Sequence, residues 1–125
     1  MKKPLKKKPS RKSLVKKLDV AVSLYIRERD QACVVCGSVE KLTNGHVFSR
    51  VAYSTRWDTT LDGNCHAQCW SCNFRHEHDA YHYNNWYIIK FGKDQWDELH
   101  LRYATPRKYK DFELTNLLNN IKGLN

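Results

Sequence analysis

The chain has 125 residues, 41% of them hydrophobic, five cysteines and a formal net charge of +9. That length suits one domain, with a core small enough to gain from a metal staple. No apolar run approaches the 18 residues of a membrane-spanning helix, and the lysine-rich start lacks the apolar stretch of a secretory signal, so a cytosolic protein without a membrane role is expected.

The charge is unevenly spread. Residues 1–17 carry nine of the 22 Lys and Arg and no acid, leaving 13 basic against 13 acidic side chains in the remainder. Such a block repels itself, stays extended and favours polyanions, because neutralising phosphates releases counterions. Residues 1–12, with Pro4 and Pro9, therefore read as a basic disordered tail ahead of a single folded domain over 13–125. Lys6, Lys7, Lys8, Arg11 and Lys12 would be its DNA-binding residues; a merely solubilising tail is the plainer alternative. An anionic membrane surface fits less well, since the tail has no apolar face.

Ser13 is expected to cap a helix reaching about Arg29. Leu14, Leu18, Ala21, Val22 and Tyr25 recur at helical spacing, while Lys16, Lys17, Arg27 and Arg29 take other faces that could follow a phosphate backbone. Next comes Cys33-x-x-Cys36-Gly37, matched by Cys69-x-x-Cys72 after 32 intervening residues. Two such pairs supply four thiolates for tetrahedral zinc, each about 2.3 Å from the ion. An odd cysteine count in this paired form points to metal in a reducing compartment rather than disulfides. A simple zinc ribbon separates its pairs by roughly 15–20 residues, so the longer gap reads as an insert carrying other chemistry.

Within that insert, residues 39–48 read as a hairpin arm, with Asn44-Gly45 as a turn or bulge and His46 on or just after it. A polar loop over 49–63 holds Arg50, Arg56, Asp58 and Asp62, and a second short strand is expected near Arg56. Residues 65 to about 79 are expected as a helix carrying Cys69, Cys72 and Asn73. Three more helices follow: one through Tyr83, Trp86 and Tyr87 to Gly92, one capped by Asp94, and one from Asp111 with Leu114, Leu117, Leu118 and Ile121. Their aromatics read as core more readily than as stacking platforms for unpaired bases.

The order Cys-x-x-Cys, His46, Asn64, Cys-x-x-Cys-Asn73 resembles the HNH (ββα-metal) nucleases. With Tyr25-Ile26-Arg27-Glu28-Arg29-Asp30, Gly45-His46, Arg56, Asn64-x-His66-x-Gln68-Cys69 and Cys72-Asn73, the match over about residues 14–100 is similar to the NinG/Rap recombination proteins of lambdoid phages. The resemblance implies an α+β fold: a small ββα-metal core with zinc knuckles, flanked by an N-terminal helix and C-terminal helices. It also implies a structure-specific endonuclease hydrolysing phosphodiester bonds in branched recombination intermediates such as Holliday junctions or D-loops, in the cytoplasm of a bacterial host.

Under that reading the catalytic residues are His46, as general base, and Asn64, which ties down the hairpin. A neutral imidazole suits the base role near pH 7. Asn73 offers an amide oxygen to a catalytic Mg²⁺ or Mn²⁺. Many HNH enzymes place Asp or His before the base as a second ligand, whereas this chain has Gly45, as NinG-like proteins do. Glu77, His76, His66 and Asp62 are the remaining candidates for the cation shell, and Glu77 shares a helical face with Asn73. Arg50, Arg56 and His66 are expected at phosphates, Cys65 as a buried thiol. Symmetric cutting of a four-way junction would imply a homodimer. Two other functions fit the same residues: a noncatalytic zinc-stabilised DNA-binding protein, and an HNH nicking enzyme indifferent to DNA structure.

Overall fold

The computed structural model describes residues 8–124, so Lys6 and Lys7 lie outside the described residues. Helix α1 (Arg11–Asp30) begins earlier than expected. Ser10, not Ser13, is its cap: the Ser10 hydroxyl accepts the Ser13 amide at 3.1 Å. Arg11 and Lys12 are thus helical, with Arg11 paired to Asp111. The helix ends where Gln31 turns left-handed (φ 60°) and its amide bonds the Arg27 carbonyl at 2.9 Å.

Leu14, Leu18, Ala21, Val22 and Ile26 form the buried stripe of α1. Against it lies the last helix, α6 (Asp111–Leu124), which contributes Leu114, Leu118 and Ile121. Trp57, Cys65 and Ala67 complete this larger core.

The sheet has two strands, β1 (Leu42–His46) and β2 (Cys65–Cys69), antiparallel with His46 opposite Cys65 and Leu42 opposite Cys69. Two expectations are corrected here. Asn44-Gly45 is no turn but lies within β1, because the Gln68 side chain crosses over Gly45 so closely that a Cβ there would stand 2.1 Å from Gln68 Oε1. The second strand is Cys65–Cys69, which had been assigned to the helix; every residue in it is buried, so it lacks the in–out alternation that marks a strand. The region near Arg56 is instead a one-turn helix, α2 (Tyr53–Arg56).

Helix α3 (Trp70–His76) follows β2 without a linker, giving the order β1, α2, β2, α3. Then α4 (Tyr81–Phe91) and α5 (Lys93–Ala104) meet at Gly92, whose φ of 95° lets the chain reverse between them. Tyr83, Tyr87 and Leu99 pack with Val47 as a second core. The expected C-terminal helices are present, and the chain is a helix-rich α+β fold around a small sheet. Among the described residues no helix is long and apolar enough to cross a membrane.

The C-terminal end of α1 clamps the outer edge of β2. Asp30 accepts the Ala67 amide at 2.8 Å, and Arg29 donates to the Cys65 carbonyl at 3.0 Å while pairing with Asp30. An edge strand needs partners for its free backbone groups, and these two side chains supply them. Arg29, expected on a phosphate-following face, is therefore spent inside the fold.

Candidate metal centre and cavity

The four sulfurs of Cys33, Cys36, Cys69 and Cys72 lie within 4.8 Å of one another, and those of Cys36 and Cys69 are 3.7 Å apart. Tetrahedral zinc with bonds of about 2.3 Å needs its sulfurs about 3.8 Å apart, so the cluster has the size and donor set to hold that ion. Local backbone builds it. Gly37 (φ 80°) lets its amide return to the Cys33 carbonyl at 2.8 Å, curling the first knuckle. Cys69 caps α3, its sulfur accepting the Cys72 amide at 3.5 Å, and the Val34 amide bonds the Ala67 carbonyl at 2.9 Å. One knuckle is thereby fixed to the sheet and the other to the helix.

Beside this cluster, a cavity of about 660 Å³ is lined by Asn44, His46, Ser49, Arg50, Val51, Asn73, His76 and Glu77. His46 ends β1, and its Nε2 lies 2.9 Å from the Arg56 carbonyl. A carbonyl only accepts, so Nε2 carries the proton and Nδ1 keeps its lone pair. Burial, the largest cause, holds the His46 pKa below the usual histidine value; the hydrogen bond to Arg56 opposes this and the Arg50 charge adds to it. The ring is neutral at pH 7, the form a base requires.

Asn73 reaches the cavity from α3. Its Nδ2 donates to Thr43 Oγ1 at 3.0 Å, and that hydroxyl donates to the Gln68 carbonyl at 2.8 Å. The amide is thus oriented, and its Oδ1 has no protein partner among the described residues. His76, one turn on, donates from Nε2 to the Val47 carbonyl at 2.8 Å, while its Nδ1 is a buried acceptor without a partner. Glu77 adds a carboxylate. Residues 73, 76 and 77 share a helical face, and oxygen, nitrogen and carboxylate donors there fit a hard divalent cation.

Other expected site residues stand elsewhere. Asn64 is fully buried and off the cavity: its Oδ1 accepts the Phe48 amide at 2.8 Å, and its Nδ2 donates to the carbonyls of Phe48 at 2.9 Å and Thr55 at 3.2 Å. It pins the chain that follows His46, as expected of a residue that ties down the hairpin. Arg56 is no phosphate ligand. Its guanidinium grips Asp19 through two bonds of 2.9 and 2.6 Å, while its carbonyl orients His46. His66, also expected at phosphates, is 2% exposed, bonded to the Gly63 carbonyl and ringed by Tyr83, Trp86, Tyr87 and Phe91. Burial is the main cause that pushes its pKa down to about 4. Asp62 is not at the cavity. Cys65 is a buried thiol whose pKa burial drives up to about 12. Arg50 keeps the placement expected of it, at the cavity wall.

Sequence reasoning missed Asn44, Thr43 and Asp19. Asn44 lines the cavity with an unpartnered, buried Oδ1; Thr43 and Asp19 act only through Asn73 and Arg56, contacts that no spacing announces.

These features define a small four-cysteine protein with a two-stranded sheet, in which His46, Asn73, His76 and Glu77 line one cavity. The profile of the family described as Bacteriophage Lambda NinG protein matches residues 1–124, and the chain belongs to that phage recombination-related family. No curated protein and no solved structure matches it.

Proposed function

We propose that this protein is a metal-dependent DNA endonuclease of HNH type, acting on branched recombination intermediates. The carrying observation is that His46 and Asn73, from different elements, line one cavity with their polar atoms oriented by backbone and hydroxyl partners. Family membership supports the recombination setting, and the basic N-terminal block supports a polyanionic substrate.

In the reaction, His46 Nδ1 takes a proton from a water whose oxygen attacks the phosphorus. The bond to the 3′ oxygen breaks and that oxygen takes a proton from solvent water, leaving a 5′ phosphate and a 3′ hydroxyl. Asn73, His76 and Glu77 would hold a divalent cation, which would supply neutralisation of the charge on the phosphate and the departing oxygen. Arg50 holds the phosphate at the cavity wall. Asn64 and Arg56 keep His46 in place.

His46→Ala tests this directly. With Mg²⁺ or Mn²⁺ present, nicking of a four-way junction, a flap and a plain duplex is compared for both proteins. The expected result is preference for branched DNA and a fall of about 10²–10⁴-fold in the variant, the range for losing a general base, with zinc content and DNA binding retained. Cleavage undiminished in the variant refutes the assignment. DNA binding without cleavage by the wild type would instead identify a noncatalytic binding protein.

A further inference from the structure

Trp70 and Phe74 stand one turn apart on the outer side of α3. Their ring centroids are 5.2 Å apart with planes within 10°, yet they are 58% and 50% exposed. Burying large aromatic side chains is favourable, so a stacked pair left in water is a surface suited to a flat apolar partner.

The surroundings suggest which partner. Trp70 lines a recess of about 440 Å³ with Lys41, Leu42 and Thr43. The Trp70 amide bonds the Lys41 carbonyl at 2.9 Å, with Lys41 in the left-handed region at φ 51°, so the two residues are held as neighbours at the rim of the same recess. Thr43 joins this recess to the cavity, because its hydroxyl holds Asn73. At about 100° per residue, the aromatic pair points roughly a quarter-turn away from Asn73, His76 and Glu77. A flat π-surface, an adjacent cation and a short path to the cavity match a nucleobase with its phosphate.

We propose that Trp70 and Phe74 form a stacking platform for an unpaired DNA base, with Lys41 meeting the adjoining phosphate. Paired bases present no free face to such a platform, so it selects strands that splay at a branch and sets that branch beside the cavity. The link to the cavity rests on the endonuclease reading above; the stacking itself needs no cutting.

The test measures binding without added divalent cation, by fluorescence anisotropy, on a splayed fork and a fully paired duplex of equal length. For Trp70→Ala/Phe74→Ala, affinity for the fork should fall about tenfold or more, since stacking one base is worth on the order of 1–3 kcal/mol, while duplex affinity stays within about twofold. Trp70→Leu/Phe74→Leu keeps apolar bulk without the π-face and should lose the fork equally; Trp70→Phe should retain the preference. Zinc content and circular dichroism check folding. Equal losses on fork and duplex, or unchanged fork affinity, would overturn the platform, as would a change from dimer to monomer in sedimentation with fork preference intact. Fork-selective binding lost in these variants, in a wild type that cuts nothing, would uphold the platform while removing the endonuclease reading.

Discussion

At the scale of single residues, His46 depends on two neighbours that act through its backbone contact. Asp19 holds the Arg56 guanidinium and the Trp57 indole; burial opposes its ionisation, but those donors outweigh it and keep its pKa below the usual value. Arg56 in turn presents the carbonyl that fixes the His46 tautomer. The depressed His46 pKa has a signed consequence. Protonation removes the lone pair that accepts the water's proton, so activity is present above the pKa and lost as pH falls through it. The acid limb of log kcat/KM should therefore have unit slope and a midpoint below about 6.5, the ordinary imidazole value. A midpoint above that value, or no acid limb, would show that His46 is not the group titrating. The sequence singled out the histidine after Gly45, and the structure puts it at the cavity. Its orienting partner was not, because a carbonyl carries no residue signature.

At the scale of elements, β1 owes its register to an unusual exchange across the sheet. Gly45 has no side chain, and Gln68 occupies the space one would take. Tyr83 also donates its hydroxyl to the Gly45 carbonyl at 2.8 Å, joining β1 to α4. Gly45→Ala should cost about 1–3 kcal/mol, as overpacking of a filled site does. Gln68→Ala removes the obstacle, so adding Gly45→Ala to it should cost little, a nonadditive pair in urea unfolding. Strict additivity would show that the close approach is relieved at no cost. The same contact explains why Asn44-Gly45 resembled a turn signal: glycine was needed for room rather than for a reversal of the chain. Arg56 and His66 were misassigned for a related reason. Charged and polar side chains look exposed in a sequence until other elements cover them, here α1 over Arg56 and α4 over His66.

At the scale of the whole molecule, three small cores meet at the sheet. One joins α1, α6 and β2; another joins Val47, just past β1, with α4 and α5; the third is the cysteine cluster with Leu42 and Val35 beside it. The cluster joins the first knuckle to α3, the helix that carries Asn73 and His76. Structural zinc binding in small modules amounts to about 10–16 kcal/mol of apparent free energy, large beside the stability of a chain this size. Cys69→Ser or Cys72→Ser should therefore abolish stoichiometric zinc and lower the melting temperature sharply, with cleavage lost as α3 comes away. Unchanged melting in a zinc-free variant would show that the apolar cores suffice. No such balance applies to α1 and α6, whose packing does not involve the four clustered cysteines.

The sequence by itself determined the cysteine pairing, the amphipathic α1 and α6, and the presence of a histidine and an asparagine suited to hydrolytic chemistry. Each of these is local: a spacing, a periodicity or a side-chain type. Only the tertiary structure decided that Cys65–Cys69 is a strand, that Arg56 and His66 are interior, and that Asn73, His76 and Glu77 share a cavity with His46. Those outcomes depend on which elements cover which, and long-range packing overrides local preference wherever a segment is buried on both sides.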